Sequence, residues 1–295
     1  MQDATDIFTR LRPRLLGVAY RMLGSLAEAE DIVQDVWLGW NDADPADISD
    51  PEAWLITTTT RRSIDRLRKA RTEREHYSGI WLPEPVLTEG PTTPEEIQEA
   101  SSDLSIAFLT VLERLSPEAR AAFLLREVFD ADYSDIAATL DKSEAAVRQI
   151  VHRAKTQLRE ERPRYMVSAE AHQRLMRRFA EAWSKADFQG MKEMMADSAT
   201  LVGDGGGIVT TFPEPVVGGQ RIAQLLFAAS VRGKDALEIR LTTINGRLGV
   251  LRYIDGHLES AQSFDTDGEH ITQVYVQRNP EKLRRIAANQ PSKLS

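Results

Sequence analysis

The side chains best suited to chemistry lie in the stretch Asp132 to Arg159, DYSDIAATLDKSEAAVRQIVHRAKTQLR. Arg148, Gln149, His152, Arg153, Lys155 and Arg159 share one side of a helical wheel. Val147, Ile150, Val151, Ala154 and Leu158 recur on the other at i, i+3, i+4, i+7 and i+11, one apolar stripe at helical period. Arginine and glutamine carry paired polar groups that match the edges of guanine and adenine. Cations beside them would hold phosphates and fix register without reading sequence. To position such a row, the stretch has to be two short helices around a tight turn. Ser134 is expected to cap the first, whose apolar residues are Ile136, Ala137 and Leu140. Asp141-Lys142 makes the turn, and Ser143 caps the second by accepting from a free backbone N–H. A short helix, a sharp turn and a basic second helix form a helix-turn-helix pattern, whose second helix enters the DNA major groove. An amphipathic hairpin with a solvated basic face is the plainer alternative.

A second basic run lies upstream. Arg61 to Arg74 holds seven cations against Asp65 and Glu73, and arginine dominates over lysine. Arginine suits bidentate phosphate and base contacts. The run follows Trp54 and four consecutive threonines, residues able to support unstacked bases. A solvated charged face is the ordinary explanation of such a run.

The rest of the chain sets bounds on these readings. Its 295 residues allow two or three domains. The net charge of −8 argues against coating nucleic acid by bulk charge, so DNA contact has to come from local basic stripes. There is no cysteine, which excludes disulfides and thiolate metal sites and fits a cytoplasmic protein. The five histidines are scattered without metal-ligand spacing. No apolar run is long enough for a membrane span, and the N-terminus reads as an amphipathic helix without a signal peptide.

The expected elements follow in order. Ile7, Leu11, Leu15, Val18, Ala19 and Met22 form one helical stripe ended by Gly24. Ser25 caps LAEAEDIVQDVWLGW, with Ala29, Ile32, Val33, Val36 and Trp37 inward and an acidic outer side. Pro51 opens the helix that carries the threonines and the basic run. Residues 75–103 form a linker, acidic and interrupted by Pro83, Pro85, Pro91 and Pro94, with WLPEP at 81–85 extended for docking. It reads as a solvated spacer or as an acidic mimic of nucleic acid. Leu104 to Leu115 is helical again, and Ser116-Pro117 starts the helix before the opening motif. Pro163 ends the last helix of that region. Beyond it come amphipathic helices, a strand with a glycine-rich loop, and four alternating β runs separated by NG, DG and DG turns.

With these segments in view, the chain resembles bacterial sigma factors of the extracytoplasmic-function class. EAEDIVQDVWLGW resembles the helix of sigma domain 2 that grips RNA polymerase; PEAWLITTTTRRSIDRLRK resembles the segment that melts and reads the −10 promoter element. LERLSPEARAAFLLREVFDADYSDIAATLDKSEAAVRQIVHRAKTQLR resembles sigma domain 4, which reads the −35 element. By matched position the resemblance implies polymerase contacts from Asp31, Gln34 and Trp37, the last equally a packing residue. It implies −10 contacts from Trp54, Arg61, Arg62, Asp65 and Arg68, with Thr60-Arg61 where many members have Arg-Asn. It implies −35 contacts from Arg148, Gln149 and His152, with Ser143 also at the DNA and Lys142, Arg153 and Lys155 nearer phosphates.

The C-terminal stretch resembles the SnoaL-like cone, a sheet wrapped around a pocket, and its signatures resemble those of the sigma subgroup that carries this extension as a built-in regulator. DGGG at 204–207 and NPEKL at 279–283 are the matching motifs, with Ile208 where that subgroup often has lysine. With WLPEP they imply a regulatory interface of Trp81, Pro83, Asp204, Gly205, Gly206, Asn279 and Pro280. The expected organisation is therefore multidomain: sigma domain 2 at 1–74, the linker at 75–103, sigma domain 4 at 104–163, and an α+β domain with a curved antiparallel sheet at 168–290. Core RNA polymerase and promoter DNA are the implied partners, with no membrane. Some SnoaL-like proteins are enzymes, but Asp204, Asp255 and His257 make no recognisable catalytic set, so a non-enzymatic regulatory module without cofactor or metal is expected. Trp183, Phe188, Phe227, Tyr253 and Phe264 are expected in its core, and an unidentified small ligand for this domain is left open.

Overall fold

The computed structural model describes residues 4–43, 48–88, 104–159, 167–232 and 236–288. They form two compact units. The first runs to His76 and resumes from Val111 to the end of the helix-turn-helix; the second takes Tyr77–Thr110 and the C-terminal stretch. The two sigma-like segments thus share one unit, and residues 77–88, within the described part of the stretch expected as a linker, group with the C-terminal domain. Pro91, Pro94, the acidic residues Glu89, Glu95, Glu96, Glu99 and Asp103, and Pro163 lie outside the described residues.

In the first unit, α1 (Ala4–Leu23) buries Leu11, Leu15, Val18 and Met22 and ends where Gly24 takes a φ of +67°. Ser25 caps α2 (Leu26–Asp42) by accepting from the Glu28 N–H at 3.4 Å. Asp50 caps α3 (Pro51–Glu75), whose first residue is a proline, at a position where its missing N–H costs no helical hydrogen bond. Thr59, Thr60 and Ser63 are wholly buried in α3, so packing holds a run of poor helix formers in place.

The helix α4 (Ile106–Leu112) is shorter than the apolar spacing from Leu104 to Leu115 predicts. Ser116 caps α5 (Pro117–Glu127). In α6 (Tyr133–Leu140) the backbone leaves the extended region at Asp132, so Ser134 sits inside the first turn and does not cap the helix. Asp141 adopts the left-handed conformation at φ +52°, and Ser143 accepts from the Ala146 N–H at 3.2 Å to cap α7 (Glu144–Arg159).

The second unit contains α8 (Ala169–Ser184), α9 (Phe188–Glu193), β1 (Met195–Asp204), β2 (Val216–Val217), α10 (Gly219–Arg232), β3 (Leu237–Ile244), β4 (Arg247–Ile254), β5 (His257–Thr266), β6 (Ile271–Gln277) and α11 (Pro280–Ala288). The strand order is β2-β1-β6-β5-β4-β3. Strands β3 to β6 are the expected antiparallel meander, turning at Asn245-Gly246 and Asp255-Gly256 with positive φ at all four residues. The sheet is mixed and not wholly antiparallel, because β1 pairs in parallel with β6. No tight turn joins those two strands, so none forces them to reverse. Phe179, Trp183, Ile222, Phe264 and Val274 pack between the helices and the sheet. Burying each large side chain contributes about 1.5–3 kcal/mol. Tyr253 is buried elsewhere in this unit, while Phe188 and Phe227 are half-buried and meet edge to face at 5.6 Å.

Candidate nucleic-acid interface and linker arm

On α7, Val147, Val151, Ala154 and Leu158 are buried while Arg148, Gln149, His152 and Arg153 are exposed in one row. The exposed residues have the polar groups needed for a groove, and the buried ones hold the helix against α5 and α6. Several cations of this region pair with carboxylates of the same chain. Arg148 bonds Glu144 at 2.7 Å and lies over the Tyr133 ring, and Lys155 bonds Glu127 at 2.7 Å. Lys142, half-buried, reaches Glu118 at 3.1 Å.

The candidates on α3 meet the helix-turn-helix directly. Arg61 donates from Nε to the Thr139 carbonyl at 2.8 Å and from Nη2 to the Ala138 carbonyl at 2.9 Å, both at the end of α6. The Thr57 and Thr139 hydroxyls are 2.9 Å apart, and Ile56 packs on the core of the helix-turn-helix. Arg68 joins Asp65 and Glu118, each at 3.0 Å. Glu118 therefore bridges Arg68 and Lys142, one cation from each expected promoter-reading segment. Arg62 pairs with Asp35 at 3.4 Å. Trp54 is half-buried against Trp40, with ring centroids 5.6 Å apart, so packing already engages one part of it. Exposed ion pairs of this kind contribute about 0–1 kcal/mol and exchange readily for other anions.

On α2, Asp31 and Gln34 are exposed, and Trp37 is half-buried against Phe8 with centroids 4.8 Å apart. Trp40 is the more deeply buried tryptophan, and its indole N–H donates to the Ala4 carbonyl at 2.9 Å. Sequence spacing did not single it out.

The stretch 77–88 is an arm laid along the C-terminal domain and pinned at two places. The first centres on Asp204, wholly buried at the end of β1. Its carboxylate accepts from the Tyr77 hydroxyl at 2.6 Å, the Leu82 N–H at 2.9 Å, the Gly206 N–H at 2.9 Å, Gln277 Nε2 at 3.2 Å and Lys282 Nζ at 2.7 Å. Its carbonyl accepts from the Arg278 and Asn279 N–H groups. Burial, with the hydrogen bond to Asp204 and its charge, pushes the Tyr77 hydroxyl above its ordinary range and keeps it a donor. Lys282 also donates to the Leu82 carbonyl at 2.6 Å, and its ammonium lies 4.2 Å from the Trp81 ring centroid, a cation–π distance.

Asn279 donates to the Tyr77 oxygen at 3.1 Å and accepts from the Glu281 N–H at 2.9 Å, so it bonds the arm and caps α11 together. Pro83 is buried, and its carbonyl accepts from Gln277 at 3.4 Å. Pro280 is exposed and only starts α11. A Cβ at Gly205 would lie 1.9 Å from the Val209 carbonyl oxygen, and one at Gly206 would lie 2.4 Å from Asn279 Nδ2. Glycine is required at both for this close approach. Ile208 is 59% exposed, and the cation at Asp204 is Lys282 of the second signature.

The second pin is the β3–β4 turn. Asn245 is wholly buried; its Oδ1 accepts from the Val86 N–H at 2.9 Å and its Nδ2 donates to the Leu104 carbonyl at 3.0 Å. Leu87 bridges Ile244, and the Gly246 N–H donates to the Thr88 hydroxyl. Tyr77, Asn245, Gln277 and Lys282 carry much of this arrangement and were not among the expected interface residues. Lys282 alone lay within a quoted signature. His257 and Asp255 are exposed at a turn, away from Asp204.

Comparison with known proteins identifies the class these features define. Residues 7–73 match the family model for Sigma-70 region 2, and residues 105–158 match that for Sigma-70, region 4. The chain is 35% identical over 260 residues to the ECF RNA polymerase sigma factor SigJ of Mycobacterium tuberculosis (strain H37Rv), covering 85% of this chain and 82% of that protein. It is 28% identical over 279 residues to the probable ECF RNA polymerase sigma factor SigI of the same species (strain CDC 1551), covering 94% and 93%. The crystal structure of M. tuberculosis SigJ matches with a TM-score of 0.75 at 30% identity, covering 96% of this chain and 98% of that one. The chain belongs to the ECF RNA polymerase sigma factors, the family that binds core RNA polymerase and directs promoter-specific transcription initiation. Among the described residues no helix is long and apolar enough to cross a membrane.

Proposed function

We propose that this chain is a non-enzymatic initiation factor acting in the cytoplasm, reading two promoter elements and controlled by its own C-terminal domain. In this reading Arg148, Gln149 and His152 contact −35 base edges, while Lys142, Ser143, Arg153 and Lys155 hold phosphates. Trp54, Arg61, Arg62, Asp65 and Arg68 serve the −10 element, and Asp31, Gln34 and Trp37 serve the polymerase. The observation that carries the reading is the exposed row on α7 backed by a fully buried stripe. Two weak DNA contacts on one chain reinforce each other through effective concentration.

The contacts of Arg61, Thr57 and Glu118 support a resting state in which the promoter-reading segments occupy one another. Binding two separated DNA elements then requires those contacts to open. The Asp204 cluster supports a regulatory role for the arm, because it fixes the chain that continues from α3. The deciding experiment is run-off transcription with core RNA polymerase and a selected promoter, comparing the full chain with Arg148→Ala and with Lys282→Met. Loss of promoter discrimination in the first and altered output at intact discrimination in the second are expected. Unchanged discrimination in Arg148→Ala would remove the −35 assignment, and unchanged output in Lys282→Met would remove the regulatory one.

A further inference from the structure

A cavity of about 520 Å³ opens between the concave face of the sheet and α10. That volume lies within the range of sites for drug-sized ligands. Its walls are largely apolar, with Leu201, Phe212, Leu226 and Val276 among them. One end is different. There the only ionisable side chains of the lining among the described residues, Arg252, Glu259 and Arg278, stand beside Ser260 and Gln262.

Strand register explains how they converge. Arg252 pairs with Ser260 across β4 and β5, and the next pair is Tyr253 with Leu258. Glu259 is the extra residue of a β-bulge with no partner on β4, and the bulge aims its carboxylate at the arginines. Arg252 Nε lies 3.0 Å from Glu259 Oε2, and Arg278 Nη2 bonds Glu259 Oε1.

We propose that this cavity binds a small amphipathic carboxylate, its acid group meeting Arg252 and Ser260 and its apolar body lying against α10. Two guanidinium groups share one carboxylate, so among the described residues one positive charge has no carboxylate of its own in a largely apolar wall. A buried charge left in that state is costly, and an incoming carboxylate offsets it. Arg252 makes no other ion pair or hydrogen bond to a described residue, which leaves its two Nη atoms for a ligand. Burial also depresses the Arg252 guanidinium relative to its ordinary value, the mark of a cation short of compensation.

The neutral groups point the same way. Gln262 is 1% exposed; its Nε2 donates to the Ser260 hydroxyl oxygen at 3.2 Å, and the other end of its carboxamide has no partner among the described residues. Ser260 keeps its own hydroxyl proton for a ligand. A buried amide with an unused end is the kind of group a ligand completes. The Arg278 backbone N–H donates to the Asp204 carbonyl at 2.7 Å, so the cavity and the arm's first pin share a residue.

Calorimetry on the full chain with decanoate and 2-naphthoate tests the site, using decanol and 2-naphthalenemethanol as uncharged counterparts. At least one acid should bind with one-to-one stoichiometry, about tenfold or more tighter than its alcohol. Arg252→Met should weaken the acid by a similar factor and leave the alcohol unchanged. The proposal is overturned if neither acid binds, if acid and alcohol bind alike, or if a folded Arg252→Met keeps the affinity for the acid. The comparison of acid with alcohol on the unaltered chain stands even where the variant fails to fold. Binding is the readout throughout, so failure here leaves the promoter assignments to the transcription experiment.

Discussion

The Tyr77 hydroxyl donates to Asp204 Oδ1 at 2.6 Å, joining the start of the arm to the end of β1 across 127 positions of sequence. Lys282 reaches the other carboxylate oxygen at 2.7 Å in the same buried cluster. Asp204→Asn removes the charge and leaves the Lys282 ammonium without its carboxylate. Breaking a buried pair by removing one partner typically costs about 3–5 kcal/mol. Tyr77→Phe removes one bond to a charged acceptor and should cost about 1.5–3 kcal/mol. Denaturant unfolding measures both, and limited proteolysis should find the arm cleaved faster in Asp204→Asn. Equal cleavage in variant and parent would mean that Asp204 does not hold the arm.

The exposed row on α7 predicts two different losses. Arg148→Ala should cost about 1–3 kcal/mol of discrimination between matched and altered −35 elements. Arg153→Ala should instead weaken binding to all sequences and lower the salt slope of log K by about 1. Titrations of polymerase holoenzyme on the two promoter forms at several salt concentrations separate these effects. A uniform loss from Arg148→Ala would make that residue a phosphate contact.

Much of this was legible in the sequence where the signal was local. The stripe from Val147 to Leu158, the Ser143 cap and the NG and DG turns depend on neighbours a few residues away, and the structure has them. The arm was legible only as a docking segment at WLPEP, because Tyr77, Asn245 and Gln277 acquire their roles from partners more than 100 positions distant. Asn245 read as an ordinary turn residue; its burial depends on Val86 lying alongside. Glu259 sits in an alternating run, and a bulge of one residue changes where its side chain points without altering the composition. Arg61 was expected to face DNA, and only the packing of α3 on α6 reveals its two carbonyl partners.

The contact between Thr57 and Thr139 allows the resting arrangement to be locked. Their hydroxyl oxygens are 2.9 Å apart, and the chain has no cysteine of its own. Thr57→Cys with Thr139→Cys should therefore form a single disulfide on oxidation. If the two promoter-reading segments must separate, oxidised protein should lose promoter-dependent transcription and regain it with reductant. Full activity of the oxidised, cross-linked protein would show that initiation proceeds with this contact closed.

His172 should make the C-terminal unit sensitive to acid. Its Nε2 lies 2.9 Å from the Leu248 carbonyl, and burial lowers its pKa from the ordinary 6.5 to about 4, with Arg247 adding a smaller push in the same direction. Between those two values the unfolded chain takes up a proton that the folded chain refuses. Stability is therefore fully present above pH 6.5 and falls as the pH drops towards 4, by about 3 kcal/mol in total. Asp265 works in the opposite sense, since burial raises its carboxyl and acid relieves the cost of its charge. His172→Gln can keep a donor to Leu248 while removing the titration, so the difference between variant and parent isolates the histidine. Denaturant midpoints for the two proteins should converge as the pH falls from 7.5 to 4.5 if the variant starts less stable, and diverge in favour of the variant if it starts equal. Parallel pH profiles would mean that His172 gains no proton on unfolding in that range.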